Sequence, residues 1–309
     1  MAPYAIALIG GGALARERDL AALGGIEAFR VVGVAEPHDG VAELDPAWGP
    51  LDAVLIGAPP AERYPLARAA LAAGLHVAFD GLPAHMLGEI AELAALAQAR
   101  GRTVYTAWPL QHTVAALEAK ARLAQAKLRL VSVTLDEDMA QWRRSRDWRA
   151  ESSTLGVFDA GLHVLATLTQ ILPEPVLLDS AFLGHDRDFE TARFPRDMAA
   201  PSSAYLTLKA ADPQRDHARM TVEFNWSRTG RGHGWEIEIE TDANASVRLT
   251  EGGSVLYVDG LKIIESADTG CEAAYRRFAQ LMASGSSEID ASAIELVDAA
   301  FSVGVNVTR

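Results

Sequence analysis

A glycine-rich turn near the amino terminus has the residue types and spacing of a phosphate-binding loop. Residues 10–15 read GGGALA and satisfy the pattern G-x-G-x-x-A, directly after an apolar run at residues 5–9. In such a turn Gly10 permits a tight bend, Gly12 lets the backbone approach a pyrophosphate, and Ala15 allows a helix to pack closely on the strand. The pattern predicts a nucleotide site, and an ordinary turn is the alternative.

The helix after this turn and an acid after the second apolar run extend the pattern to a dinucleotide. The backbone amides of Ala13 and Leu14 lie at the start of the predicted helix, where the partial positive charge of the helix end also suits an anion. Glu36 ends the second run, where a carboxylate accepts hydrogen bonds from ribose hydroxyls and repels a 2′-phosphate. Pro37 and His38 follow it, rather than an arginine. The sequence therefore favours NAD over NADP, while a solvated loop acid is the alternative role for Glu36.

Short apolar runs alternate with helical patterns over the first 120 residues. Helices fit between most of the runs, for example at residues 61–73 and 87–100. This alternation is typical of βαβ units that build a parallel sheet buried on both faces. The predicted strands are residues 5–9, 31–35, 53–56, 76–79 and 103–106.

From about residue 128 the pattern changes to alternating apolar and polar residues. Residues 128–135 and 235–240 are examples, and they predict half-buried strands of a mostly antiparallel sheet. Helical patterns occupy residues 159–172, 273–282 and 291–302. We therefore predict an α/β nucleotide-binding domain at residues 1–120 and an α+β substrate and oligomerisation domain at residues 121–309.

Composition excludes several classes of protein. The net charge is −13, from 28 Lys and Arg against 41 Asp and Glu, so we expect neither nucleic acid nor an anionic membrane as partner. No apolar run reaches the length of a spanning helix, and no basic residue precedes the apolar amino terminus as in a signal peptide. The single cysteine, Cys271, excludes a disulfide framework and favours a reducing compartment, the cytoplasm.

Three other chemistries lack their motifs. The eight histidines are scattered without H-E-x-x-H or paired spacing, so no metal site is predicted. No G-x-S-x-G elbow follows a strand, as a hydrolase of the Ser-His-Asp type would require. The glycine-rich turn also lacks the Gly-Lys-Ser/Thr of a P-loop.

Two stretches of the chain resemble the Gfo/Idh/MocA oxidoreductase family. Residues 51–100 show the family's succession of strand, Pro-Pro turn, helix and strand. Residues 137–173, and GVFDAGLH within them, are similar to the branch of L-arabinose and D-galactose 1-dehydrogenases. The resemblance implies a Rossmann domain followed by a C-terminal α+β domain on an open sheet, a nicotinamide cofactor, and oxidation of an aldose at C1 to a lactone.

The same resemblance implies cofactor contacts and an assembly. It places Ala58, Pro59 and Pro60 in the turn that lines the nicotinamide side, and Asp80 at a strand end beside the cofactor. Members of the family often pair across the C-terminal sheet. We therefore predict a homodimer through this sheet, where residues 217–226 and 235–240 carry alternating apolar positions.

The family's recurrent Asp and His, four residues apart, correspond to Asp159 and His163. At this spacing both lie on one helix face and can meet one substrate. Oxidation of a hemiacetal hydroxyl requires a base, and an imidazole, which titrates near pH 6.5, can accept a proton at neutral pH. We predict His163 as base or proton relay and Asp159 as its partner. The alternative is that Asp159 is a helix N-cap and His163 makes a core contact.

Residues upstream of this pair are candidates for binding a sugar or polyol. Glu137 corresponds to an acid of the arabinose-type branch, and Trp142, Arg143 and Trp148 follow in a predicted loop. Aromatic faces and carboxylates suit the C–H patches and hydroxyls of a sugar. Arg143 replaces a histidine of that branch, so the resemblance does not determine the identity of the sugar. His112 lies in a loop that borders the cofactor in the family. Core and surface roles are the alternatives for all five residues.

The chain departs from the family at the end of the fourth strand. The family has Glu-Lys-Pro there, with the lysine beside the reacting hydroxyl, whereas this chain has Asp80, Gly81 and Leu82. His85 or His112 could supply the missing donor, or the Asp–His pair could act alone with a loss of about 10²-fold to 10⁴-fold. The third alternative is a catalytically silent sugar or dinucleotide sensor. We expect an enzyme.

Overall fold

The computed structural model describes residues 2–37, 46–84, 86–138, 155–185, 200–215, 217–227 and 234–308. The chain divides into unit 1, Met1–His112 with Thr269–Ala291, and unit 2, Thr113–Asp268 with Ser292–Arg309. No helix in the described ranges is long and apolar enough to cross a membrane. The elements in chain order are β1 (Tyr4–Gly10), α1 (Ala13–Gly24), β2 (Phe29–Ala35), β3 (Ala53–Gly57), α2 (Pro60–Ala72), β4 (His76–Asp80), α3 (Leu87–Arg100), β5 (Val104–Ala107), α4 (Val114–Leu123), β6 (Leu128–Asp138), α5 (Phe158–Ile171), β7 (Val176–His185), β8 (Ser203–Ala210), β9 (Arg219–Ser227), β10 (Gly234–Thr241), β11 (Ser246–Thr250), β12 (Val255–Val258), β13 (Leu261–Glu265), α6 (Cys271–Ser284), α7 (Ser292–Val303) and β14 (Val305–Thr308).

Unit 1 is built on a parallel sheet with the strand order β2-β1-β3-β4-β5. The apolar strands β1, β3 and β5 are buried almost throughout, because helices cover both faces of the sheet. All five predicted strands are confirmed to within two residues at each end. In such a sheet the carboxyl ends of the strands share one edge, which is where ligands bind in this class of fold.

Unit 2 contains a mixed sheet with the order β13-β12-β11-β10-β6-β9-β8-β7-β14. Among these described strands, β6 pairs with β9 and β7 with β14 in parallel, and the other neighbours are antiparallel. The mostly antiparallel sheet predicted from the alternation is therefore confirmed. Helices α5 and α7 pack against each other, and α7 packs against β7.

The apolar positions that suggested a dimer face on β9 and β10 lie in the core of unit 2. Met220, Val222 and Phe224 are buried on β9, as are Ile237 and Ile239 on β10. The alternate positions of these strands carry polar or charged side chains such as those of Thr221, Glu223, Glu236 and Glu238. The interpretation of these two strands as an apolar interface was therefore wrong, because alternation indicates one buried face without indicating what covers it.

Helix α6 belongs to unit 1, although it follows the strands of unit 2 in sequence. Phe278 stacks on Phe29 and Tyr105, with ring centroids 5.9 Å and 6.0 Å apart. The structure thus divides the chain differently from the predicted boundary at residue 120. The helical period of α6 was readable in the sequence, but its packing partners lie more than half the chain away.

A polar network also ties α6 to α1 and β4. Arg18 donates to Asp19 (Nη2 to Oδ1, 2.9 Å) and to Asp80 (Nη2 to Oδ2, 2.7 Å), and the Tyr275 hydroxyl donates to Asp19 Oδ1 at 2.8 Å. Burial, and then the charge of Asp80, raises the pKa of Asp19 to about 6, while Arg18 opposes the rise. Burial alone would lower the pKa of Arg18, but the two carboxylates raise it.

In unit 2, Gly161 lets α5 lie directly against β9. A Cβ at Gly161 would lie 2.4 Å from the ring of Phe224. That ring is fully buried and packs edge-on against Phe158, with centroids 6.1 Å apart. The rotation of α5 about its own axis is therefore fixed by this close approach.

We expect Gly161→Ala to lower the free energy of unfolding by about 1–3 kcal/mol, because the added methyl group must displace a buried ring. Gly88→Ala is the matched control, since a Cβ on this exposed helical glycine meets no described atom within 4 Å. The control should be neutral or stabilising by up to about 1 kcal/mol. Urea unfolding measures both. Equal effects of the two substitutions would contradict the packing of α5 described here.

Candidate active site

The glycine-rich turn is held against the carboxyl end of β3. Gly10 and Gly11 have φ of +79° and +90°, a region that side chains with a Cβ rarely adopt. A Cβ on Gly10 would also lie 2.8 Å from Cα of Ala58. Both the backbone conformation and the close approach therefore require glycine at residue 10.

The start of α1 has room for a phosphate group. Gly12 is the N-cap, and a Cβ placed on it would meet no described atom within 4 Å. The first helical hydrogen bond runs from Arg16 N to Gly12 O at 2.9 Å. Glycine has no side chain to cap the helix, so the backbone amides at Ala13 and Leu14 can serve an anion. The residues present fit the pyrophosphate of a dinucleotide.

An arginine lies beside the acid that follows β2. Arg16 Nη2 is 2.9 Å from Glu36 Oε1, and the same nitrogen donates to Gly11 O at 3.2 Å. We expected no such cation, because none follows Glu36 in the chain. It comes instead from the first turn of α1. Its position four residues after Gly12 was the signal that could have revealed it.

The loops after β3 and β4 are joined by a buried arginine that sequence reasoning missed. Arg63 of α2 donates from Nε to Ala58 O at 2.7 Å and from Nη1 to Leu82 O at 2.5 Å. Ala58 is fully buried, Pro59 is the N-cap of α2, and Pro60 is its first residue. The turn that the resemblance assigns to the nicotinamide side is therefore anchored to the loop that follows β4.

The end of β4 has a backbone that favours glycine. Gly81 is buried, has φ of +85°, and donates its N–H to Ala107 O at 2.8 Å. A lysine at this position would be strained by the left-handed conformation. The preceding Asp80 bonds Arg18, as described above, so a cation does lie beside this carboxylate.

His112 is half-buried rather than a free surface residue. It ends a 3₁₀ turn, Pro109–His112, and its Nε2 is 3.0 Å from the hydroxyl of Tyr105. Burial, followed by the charge of Glu288, raises the pKa of Tyr105, so the phenol keeps its proton and can hydrogen-bond the imidazole. The other predicted residues near this chemistry, His85, Trp142, Arg143 and Trp148, lie outside the described residues.

Asp159 and His163 share a face of α5 in unit 2. Both side chains are half-buried, and at 3.6 residues per turn both lie about 160° around the helix from Gly161, which faces the sheet. Val157 is the N-cap, so the alternative that Asp159 is the N-cap was wrong. Asp159 lies in the first turn, where the helix dipole favours a negative charge.

Glu137 is a buried carboxylate on β6 of unit 2. It is 8% exposed, and Trp226 on the neighbouring strand donates from Nε1 to Glu137 Oε2 at 3.3 Å. The two residues are direct partners in the parallel register of β6 and β9. Trp226 was not among the predicted site residues, because only the pairing of the strands brings it to Glu137.

Each unit thus collects part of the predicted set. Unit 1 brings the glycine turn, Glu36, the Pro-Pro turn and Asp80 to the carboxyl edge of one sheet. Unit 2 holds Asp159 and His163 on one helix face, with Glu137 on a strand. Within the described ranges, no group of three or more His, Cys, Asp or Glu could hold a metal ion.

Comparison with known proteins gives full-length matches to sugar dehydrogenases. No family model matches the chain. It is 31% identical over 318 aligned positions to galactose 1-dehydrogenase from Pseudomonas fluorescens, covering 100% of this chain and 98% of that protein. D-galactose 1-dehydrogenase from Rhizobium etli has a TM-score of 0.85 and 30% identity, covering 100% of this chain and 97% of that one.

More distant structures share the fold alone. KijD10, a 3-ketoreductase from Actinomadura kijaniata, has a TM-score of 0.79 at 17% identity, covering 99% of each chain. Myo-inositol 2-dehydrogenase from Lactobacillus plantarum has a TM-score of 0.72 at 16% identity, covering 97% of this chain and 95% of that one. Because it is 31% and 30% identical to two galactose 1-dehydrogenases along its whole length, the chain belongs to the Gfo/Idh/MocA family of NAD(P)-dependent oxidoreductases, in the branch that contains these enzymes.

Proposed function

We propose that this protein is an aldose 1-dehydrogenase that oxidises a sugar of the L-arabinose or D-galactose type at C1 to its lactone. The observation that carries the proposal is the full-length similarity to two galactose 1-dehydrogenases. Both relatives are named as enzymes, which favours catalysis over the alternative of a silent sensor. The half-buried Asp159 and His163 on one helix face support it further, because they can meet a substrate together.

The cofactor is held by unit 1, and its nicotinamide, when bound, supplies the hydride acceptor. The amides at Ala13 and Leu14 and the open space at Gly12 suit its pyrophosphate. Glu36 suits the adenosine ribose hydroxyls, so NAD is the proposed cofactor. The Ala58–Pro59–Pro60 turn and Asp80 are proposed to line the cofactor site, and Arg63 holds this turn in place.

Asp159 and His163 on α5 are proposed to remove the proton of the C1 hydroxyl. A neutral imidazole at His163 accepts it, and Asp159, one turn earlier, orients the imidazole or accepts the proton itself. Glu137, positioned by Trp226, accepts a hydrogen bond from a sugar hydroxyl. Trp142, Arg143 and Trp148 remain predicted sugar contacts, and His112 a predicted contact near the cofactor.

The missing lysine is compatible with this proposal. Arg18 supplies the cation beside Asp80, and Gly81 satisfies a backbone that a lysine would strain. The chemistry then rests on the Asp–His pair.

The remaining parts of the proposal concern assembly and location. Phe182 on β7 is 48% exposed and pairs in register with Val305 on β14, which is 55% exposed, and Val307 is 41% exposed. Apolar side chains clustered on one edge suit a protein interface. A homodimer through this part of the unit 2 sheet is therefore proposed. A reducing compartment, the cytoplasm, is proposed because the one cysteine, Cys271, is a buried free thiol.

Replacing Asp159 or His163 by alanine should lower kcat/KM for the best aldose by about 10²-fold to 10⁴-fold, because each substitution removes an acid–base group. Affinity for NAD should stay unchanged. Gln170→Ala is the matched control, since Gln170 is half-buried and lies two turns beyond His163 on the same face of α5. Steady-state kinetics and calorimetric NAD titration measure the two effects. Loss of NAD binding in either variant would refute the assignment of this pair.

The wild type should reduce NAD with at least one aldose in a panel of sugars and polyols, measured by NADH absorbance. Gly81→Lys should be no faster than Gly81→Ala, because the proposed chemistry rests on Asp159 and His163 and does not use an amine at residue 81. Both substitutions carry the same left-handed strain of about 1–2 kcal/mol, so any difference between them reports the amine alone. Turnover by Gly81→Lys alone, with a wild type that binds NAD but stays inactive, would instead favour the sensor.

Light scattering should give the mass of two chains for the wild type and of one chain for Phe182→Asp, since a buried charge disrupts an apolar interface. Leu261→Asp is the control, because Leu261 is 71% exposed on β13, at the opposite edge of the same sheet. If Leu261→Asp alone dissociated the protein, the interface would lie at the other edge. A monomeric wild type would exclude the homodimer.

A further inference from the structure

The ion pair between Arg16 and Glu36 bears on which dinucleotide the site accepts. Glu36 alone would reject a 2′-phosphate on the adenosine ribose, since two negative charges would face each other. Residues 37–45 contain no lysine or arginine, so the segment after β2 supplies no compensating charge. Arg16, from the first turn of α1, places its Nη2 within 2.9 Å of Glu36 Oε1. In this structure the acid is therefore paired with a cation.

The exposure of the two side chains permits an exchange of partners. The Arg16 side chain is 29% exposed and that of Glu36 is 50% exposed. An ion pair between groups this open to solvent contributes little to stability, so it can separate readily. A separated Glu36 would keep its hydration, because half of its side chain already meets solvent.

The chemistry of the guanidinium suits the group that Glu36 rejects. Arginine binds phosphate through two parallel N–H donors, with a shape and charge that match the phosphate oxygens. With a ribose hydroxyl present, Glu36 accepts its hydrogen bond while paired with Arg16. With a 2′-phosphate present, Arg16 donates to the phosphate, and Glu36 turns to solvent.

We propose that Arg16 is a specificity-determining residue that gives this site a second, NADP-accepting mode beside NAD. The inference rests on the dinucleotide site of the proposed function and adds to it a residue that reads the ribose 2′ position. NAD remains the preferred cofactor through Glu36. The alternative is that Arg16 only braces the glycine turn through its bond to Gly11 O.

The test is equilibrium binding by calorimetry, which needs no turnover. The ligands are NAD, NADP, AMP and adenosine 2′,5′-bisphosphate, titrated into the purified full chain. Arg16→Gln should weaken NADP and the bisphosphate by about tenfold or more, the loss expected for one hydrogen bond to a charged group, with NAD and AMP changed less than about twofold. Glu36→Gln should do the reverse and tighten NADP while it weakens NAD.

Arg30→Gln is the matched control for charge. Arg30 is exposed and lies near the amino end of β2, roughly 20 Å along the strand from Glu36 at about 3.3 Å per residue. Its replacement should leave all four affinities unchanged. A thermal unfolding scan of Arg16→Gln should match the wild type, which separates loss of phosphate binding from loss of fold.

Several outcomes would overturn the inference. A wild type that binds NAD but not NADP refutes it and leaves the proposed dehydrogenase intact. Equal weakening of NAD and NADP by Arg16→Gln would show that Arg16 only braces the turn. Binding of neither dinucleotide by a folded wild type would refute the inference together with the proposed function.

Discussion

The arrangement of unit 1 depends on the guanidinium of Arg18, which holds carboxylates from two elements at once. Asp19 lies beside it on α1 and Asp80 ends β4, and without the cation these two acids would repel each other in a largely buried place. Tyr275 adds a bond from α6. Because α1 begins directly after the glycine-rich turn and β4 ends at Asp80, the same network fixes the glycine turn relative to the end of β4.

The surroundings of Asp80 and Gly81 change the interpretation of the absent family lysine. In sequence, Asp80-Gly81 is a carboxylate without a neighbouring cation, whereas in the structure Arg18 neutralises it from 62 residues away. Gly81 then meets a backbone requirement, a left-handed residue whose N–H bonds β5. The position has changed from one that carries a functional side chain to one that shapes the loop. Under the proposed function, proton transfer then rests on Asp159 and His163 of α5.

Features with a local signature were predictable from the sequence, and features formed by distant contacts were not. The glycine turn, the parallel strands and the helix of Asp159 and His163 follow from spacing and periodicity alone. The contacts of Arg16, Arg18 and Arg63 span 20, 62 and 19 residues, and no pattern in one sequence pairs them. For the same reason α6 was read as a helix but assigned to the wrong half of the chain. The alternation of β9 and β10 correctly predicted strands with one buried face. The prediction that a partner chain covers this face was wrong, because the chain itself buries it.

A chain with a net charge of −13 must still attract an anionic dinucleotide, and the structure shows how local charge overrides the total. At physiological salt the field of an exposed charge decays within about 8 Å, so the distant acids that dominate the sum act weakly at the site. In the proposed site, the pyrophosphate meets the amino-terminal amides of α1, and the adenosine ribose meets Glu36, which Arg16 partly neutralises. Arg18 likewise neutralises Asp80. Two of the acids nearest to the proposed cofactor site are therefore paired with arginines of one short helix, α1. The overall acidity of the chain thus does not determine the potential at the site, which depends on the first two turns of α1.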